Sequence, residues 1–166
     1  MVRTAVMGRS HAATGAAAVL LVEPHQPWPV LITTAALGAA AALLPDLDIE
    51  SSTVSNSLGP VTRVISRGVA AVCDGHRGGT HSLAAVAFVT FLVVGPKVPA
   101  PYAVAVVVGY VAHMIGDYFT GNGISLLWPF VRRRFGLPIL GHTGGWREHA
   151  AVVVVVAGTV YSMAIA

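Results

Sequence analysis

Histidines and carboxylates recur in company along this 166-residue sequence. His11 stands near the start, Asp46 and Asp48 flank Leu47, and His76 and His81 bracket a glycine pair. His113 precedes Asp117 by four residues, and Glu148 adjoins His149. Residues four apart on a helix share a face, so His113 and Asp117 would point the same way, with Thr120 a further turn along. An imidazole nitrogen and a carboxylate oxygen so placed can grip one metal ion or bridge two. Asp46 and Asp48 follow Pro45, where a helix would stop, so both carboxylates can turn toward one point. Close carboxylates repel one another, and a cation removes that penalty. Neutral imidazole mixed with carboxylate suits zinc, manganese or iron better than calcium. The single cysteine, Cys73, excludes a multi-thiolate zinc module and an intrachain disulfide.

The segment His76-Arg77-Gly78-Gly79-Thr80-His81-Ser82 offers more than ligands. Its glycines let the backbone approach a ligand, Arg77 is a forked donor, and Thr80 and Ser82 place hydroxyls at a helix start. A phosphate would be held well there. Metal, carboxylates and an anion-binding loop together point to metal-assisted hydrolysis of a phosphoester. In that chemistry Arg77, with Thr80 and Ser82, steadies the phosphate charge, and Asp48 or Glu148 acts as general base. Each piece also has a plainer explanation: His113 and Asp117 as a packing pair, Asp46 and Asp48 as a helix stop and cap, Gly78 and Gly79 as turn glycines. His25 is incidental, and Glu148 is a better ligand than His142 or His149.

The elements that must position these residues are apolar. Hydrophobic residues make up 55% of the chain and charged residues 10%, with a mean hydropathy of +0.73. A soluble domain carries about a quarter charged residues, so a water-exposed globule is excluded. The sequence reads as one all-α domain over residues 1–166, a polytopic membrane bundle of about five transmembrane helices plus one interfacial helix. The apolar stretches are Ala12 to Val22, Gln26 to Pro45, Ser82 to Pro96, Val98 to Ala112 and Ala150 to Ala166. The first has only 11 residues, short of the ~20 a bilayer needs. It crosses only if Arg9, Ser10 and His11 enter the boundary region. A signal peptide is disfavoured because Leu20-Leu21-Val22-Glu23 offers no small-x-small cleavage site. The run Val152 to Val156 is β-branched, but a lone strand in lipid leaves its backbone unpaired, so it reads as helix.

Five crossings would place Arg3, Arg9, Arg63, Arg67, Arg77, Arg132, Arg133, Arg134 and Arg147 on one side and only Lys97 on the other. The positive-inside rule then puts the N-terminus and residues 46–81 and 118–148 in the cytoplasm. The basic excess therefore reports membrane topology, and no nucleic-acid partner is expected. Within the first cytoplasmic segment, Val61, Val64, Ile65, Val69 and Val72 recur at helical spacing after Pro60. They read as an interfacial helix lying along the membrane, with Arg63 and Arg67 near lipid headgroups, or as an ordinary packed amphipathic helix. On this topology His11, Asp46, Asp48, His76, His81, His113, Asp117, Glu148 and His149 all lie at the cytoplasmic ends of their helices, and His25 lies on the opposite face.

The order Leu44-Pro45-Asp46-Leu47-Asp48, then His76-Arg77-Gly78-x-Thr80-His81-Ser82, then His113-x-x-x-Asp117-x-x-Thr120-x-x-Gly123-x-x-Leu126-Leu127-Trp128-Pro129 resembles the YdjM/YbcI family of inner-membrane metal-dependent hydrolases. The resemblance covers nearly the whole chain, from His11 to Glu148. Carried over by position, it implies His11, Asp46, Asp48, His76, His81, His113, Asp117 and Glu148 as ligands of divalent metal, zinc first, with manganese or iron as alternatives. More remotely, the His-x-x-x-Asp element is similar to the all-helical zinc-dependent phospholipase C and nuclease group. That likeness implies two or three ions cleaving phosphoesters, although the spacing between motifs differs from that group. A membrane lipid or lipid-linked phosphate is the expected substrate. The rival expectation is a non-enzymatic membrane protein with a structural or ion-binding metal.

Overall fold

The computed structural model describes residues 3–52, 54–57, 59–142 and 144–165, and within them the side chains of residue 8 and beyond. The described residues form α-helices and no strand: α1 (Arg3–Val22), α2 (Trp28–Ala41), α3 (Pro60–Val72), α4 (Leu83–Val94), α5 (Ala100–Tyr118) and α6 (Trp146–Ile165). Prolines open α2, α3 and α5, at positions where the missing amide has no intrahelical partner to lose. Ser82 caps α4, its Oγ accepting from the Ala85 amide at 3.2 Å. Gly95 and Pro96 follow α4 and stop it.

The core is a three-helix contact of α1, α2 and α5, with α6 packed on α1 and α4 on α5. Glycine makes the contact possible. A Cβ on Gly15 would lie 2.6 Å from the Ala42 Cβ, and one on Gly109 would lie 2.8 Å from the Gly38 Cα. Small residues let backbones meet in this way where lipid supplies no hydrophobic drive between helices.

Among the described residues, three elements are long and apolar enough to cross a bilayer: Trp28–Asp48, Ala100–Tyr118 and Trp146–Ile165. That is fewer than the five crossings expected from sequence. The first apolar stretch is the back half of α1, whose front half carries Arg9, Ser10 and His11. The third is α4, which has 12 residues, roughly 18 Å of helix. The helix of the fourth stretch runs on to Tyr118, so His113 and Asp117 sit within its last turns and not beyond its end.

The expected amphipathic helix is α3, and its orientation is reversed from that of a soluble protein. Thr62 and Ser66 are buried, while Val61, Val64, Ile65 and Val72 are exposed. The polar face holds the protein, with the Thr62 hydroxyl donating to the Ser55 carbonyl at 2.7 Å. The loop from α5 to α6 has no long helix, but backbone bonds tie it down. Ile124 and Phe135 exchange bonds of 2.9 and 2.8 Å, and the Ser125 amide donates to the Arg77 carbonyl at 3.2 Å.

Candidate metal centre

Four elements deliver the site. After α2 a 3₁₀ turn, Pro45–Asp48, presents Asp46 and Asp48; α1 brings His11; the turn before α4, including the 3₁₀ segment Gly79–His81, brings His76 and His81; α5 brings His113 and Asp117. Their ligand atoms gather in three overlapping groups: His11 with His113 and Asp117, Asp46 with His81 and His113, and Asp46 with Asp48 and His76. All are buried except His76, which is half-exposed and marks the outward side of the cluster.

The centre of the cluster is His113 Nε2. His113 Nδ1 lies 2.7 Å from the Ala42 carbonyl, which can only accept, so Nδ1 carries the proton and Nε2 is bare. Around that bare nitrogen lie His81 Nε2 at 3.1 Å, Asp46 Oδ1 at 3.8 Å and Asp117 Oδ2 at 3.8 Å. His11 Nε2 is 3.5 Å from Asp117 Oδ1, and the His11 and His113 rings stack at 3.8 Å. Two ligands each about 2.1 Å from a tetrahedral ion lie about 3.4 Å apart. The spacing and the thiolate-free donor set therefore fit zinc or a similar divalent ion, and Asp117 Oδ1 is a buried oxygen without a hydrogen-bond donor.

Electrostatics favours a cation. Burial alone would lower the pKa of His81, but Asp117 Oδ2 at 3.4 Å and Asp48 Oδ2 at 3.5 Å outweigh it and hold the imidazole up at about 9. A positive charge is thus wanted at this point, whether a proton or a metal ion supplies it.

The sequence model of the YdjM inner membrane protein family matches residues 6–166. The chain belongs to the YdjM family. It is 38% identical over 118 residues to the inner membrane protein YdjM of Escherichia coli (strain K12), covering 68% of this chain and 56% of that protein. The chain thus spans about half the length of that relative. The protein YvsG of Bacillus subtilis (strain 168) is 31% identical over 143 residues, 85% of this chain and 84% of its own. No solved structure matches.

The structure brings together seven of the eight ligands that YdjM membership implied. Glu148 stands apart from them, buried in the first turn of α6; its Oε2 accepts from the Gly144 amide at 2.7 Å and its Oε1 has no hydrogen-bond partner among the described residues. It does share a cavity with His11 and Thr120. Arg77, read from sequence as a phosphate holder, is buried with its Nε 2.8 Å from Asp117 Oδ2 and an Nη donating to the Thr120 hydroxyl at 2.9 Å. Its left-handed φ of 62° turns the amide of the same residue onto Asp48 Oδ2 at 3.1 Å. Thr80 likewise serves the centre, donating to Asp48 Oδ2 at 2.5 Å. Gly78 and Gly79 press their backbone against Cys73 and Trp128, not against an open cradle.

Tyr110 was missed. Its hydroxyl donates to the Thr80 carbonyl at 2.5 Å, and its place one turn before His113 was the available signal. Arg134 also reaches this segment, donating to the His76 carbonyl at 3.0 Å.

Proposed function

We propose that this chain is a membrane-bound hydrolase that cleaves a phosphoester of a lipid or lipid-linked phosphate at the cytoplasmic face of the inner membrane. The observation that carries the reading is that the buried His/Asp cluster borders, through His11, a cavity that Glu148 also lines. The ligands would be His11, Asp46, Asp48, His76, His81, His113 and Asp117, and their overlapping groups leave room for two or three ions. A divalent metal there, zinc first, supplies Lewis acidity that lowers the pKa of a water and polarises a phosphoryl oxygen.

The chain's own residues do the rest. Glu148, with Oε2 pinned by the Gly144 amide, presents Oε1 as the base that takes the water's proton. Asp48 is less suited to that task, because His76, Thr80 and the Arg77 amide all engage its oxygens. Arg77 holds Asp117 in place and Thr80 holds Asp48, so both act by positioning. In the hydrolysis the water oxygen bonds to phosphorus, the ester P–O bond breaks, and the leaving oxygen gains a proton.

The membrane placement is multi-pass with a cytoplasmic N-terminus. α2, α5 and α6 are long enough to cross, and α1 and α4 carry the chain back between the faces, since α2 and α5 both bring their C-terminal ends to the one centre. The arginine asymmetry supports that orientation. The closed, buried character of His81 and His113 favours one other reading, a structural metal in a non-enzymatic membrane protein.

Metal content measured beside turnover of phosphatidyl and simple phosphate esters separates the two, using wild type, Asp117→Ala and Glu148→Gln. The hydrolase reading expects metal and turnover in wild type, loss of both in Asp117→Ala, and metal without turnover in Glu148→Gln. Bound metal with no turnover of any ester in wild type would leave the structural reading in possession.

A further inference from the structure

α5 and α6 both pack against α1 yet scarcely touch each other, and the gap between them is a cavity of about 360 Å³. Thr14 and Ala18 of α1 form its floor, Ala112 and Ile115 of α5 one wall, and Val152 and Val155 of α6 the other. Its lining is apolar nearly throughout. At one end the chemistry changes, where His11 of the metal centre, Thr120 and Glu148 meet the same space.

The cavity opens toward lipid. α6 is long and apolar enough to span, and its outer face, with Val153, Val154, Val160 and Tyr161, is exposed. Beside it, Ile115 of α5 is exposed at the gap. Between two spanning helices that do not close on each other, what enters from the side is hydrocarbon.

We infer that this gap holds one acyl chain of a membrane glycerophospholipid, with the headgroup phosphoester at the His11–Glu148 end. Glycerophospholipid is the bulk material against α5 and α6 in a bilayer, and its architecture matches the gap, an apolar rod joined to an anionic ester. Lipid tails are as apolar as the walls, so a chain gains little by leaving the bilayer for the gap. Selectivity must come from the polar end, where a divalent ion held by the His11 group would supply the positive charge that complements a phosphate. The fate of that headgroup rests on the hydrolase reading; the seating of the chain does not.

The test is photolabelling in nanodiscs of phosphatidylethanolamine and phosphatidylglycerol, doped with a phosphatidylglycerol that bears a diazirine partway along one acyl chain, in the half nearer the headgroup. Peptide mapping by mass spectrometry should find label on the floor residues Thr14 and Ala18 in wild type. Val152→Phe puts a ring into the gap and should cut floor labelling about fivefold or more while metal content stays at the wild-type level. Ala112→Phe fills the opposite wall and serves if the first variant does not fold. Floor labelling no greater than that of the outward Val153 and Val154, or unchanged in a folded gap-filling variant, overturns the inference. So does label displaced by farnesyl phosphate but not by unlabelled phosphatidylglycerol. Floor labelling without turnover of any ester would refute the hydrolase reading and uphold the seated chain. Turnover without floor labelling would do the reverse.

Discussion

Gly109→Ala tests whether the contact between α2 and α5 sets the geometry of the metal centre. A Cβ at position 109 would press on the Gly38 carbonyl oxygen and lie 2.8 Å from the Gly38 Cα and carbonyl carbon. Every one of those atoms is backbone, so none can rotate aside. A relaxed carbon pair sits at about 3.5–4.0 Å, so the helices must part by about 0.7–1.2 Å. His113 lies one turn beyond Gly109 on α5, and α2 leads through Leu44 to Asp46. The gap therefore opens between the two halves of the ligand set. The separation of Asp46 Oδ1 from His113 Nε2, now 3.8 Å, would grow by about 1 Å, whereas metal sites tolerate about 0.2 Å. Overpacking of this kind costs about 1–3 kcal/mol, or about 5–150-fold in metal affinity. Chelator competition for zinc and the Tm in detergent both read the effect. Gly158→Ala is the control, since an added Cβ there meets nothing within 4 Å and alanine is the better helix former. If Gly109→Ala matched Gly158→Ala in zinc affinity and Tm, the glycine contact would not be what holds the centre.

Two further outcomes follow from the site itself. Arg77→Lys keeps the charge but cannot span both Asp117 and Thr120, so it should cost about 1.5–3 kcal/mol of stability, and a Tm equal to wild type in the metal-free protein would refute the positioning role. His81 is held protonated up to about pH 9 by Asp117 and Asp48, above its ordinary 6.5, and a ligand must be deprotonated. Zinc binding near pH 7 should therefore release a proton from His81, with the release fading and the apparent affinity levelling as pH rises through about 9. By the same sign, the stability that this imidazolium gives the metal-free protein is present below about 6.5 and lost as pH rises through about 9. Calorimetry in buffers of different ionisation enthalpy counts the protons, and a count that does not fall with pH would exclude His81 as the group displaced.

Residue type and spacing made much of the centre legible. The i, i+4 pair His113/Asp117 and the proline-stopped Asp46/Asp48 announce their geometry in the chain, because each is fixed within one turn of backbone. What spacing could not give was the partner of a side chain across the fold. Arg77 looks like a free forked donor until the left-handed turn at its own residue directs the guanidinium inward to Asp117, 40 positions away in sequence. Glu148 belongs to the same layer as the others, but the loop after α5 sets it against the cavity and not within the ligand groups. The number of long apolar helices differs from the five expected crossings for a related reason. Apolar runs between charges measure composition, whereas α1 begins well before its apolar run and α4 ends early at Gly95 and Pro96. The glycine contact left no local sign, since Gly15, Gly38 and Gly109 are unremarkable until three helices meet.

The reversal of α3 bears on how the exposure of this protein is to be understood. In water, a helix that buries Thr62 and Ser66 and exposes Val61, Val64, Ile65 and Val72 would be upside down, at a cost of about 25 cal/mol for each Å² of apolar surface left exposed. At a bilayer the sign changes. On the proposed placement the valine face would enter the acyl boundary and bring the exposed Arg63 and Arg67 within reach of headgroup phosphates. The buried polar face of α3 contacts the segments around Asp46, Asp48 and Ser55, so the same helix that rests on the lipid also braces the carboxylates of the centre. A helix anchored in the headgroup plane fixes the depth of what it braces. On the proposed membrane placement the candidate metal centre would stand at the level of lipid phosphates, the depth that the proposed phosphoesterase requires and too shallow for a passage through the midplane.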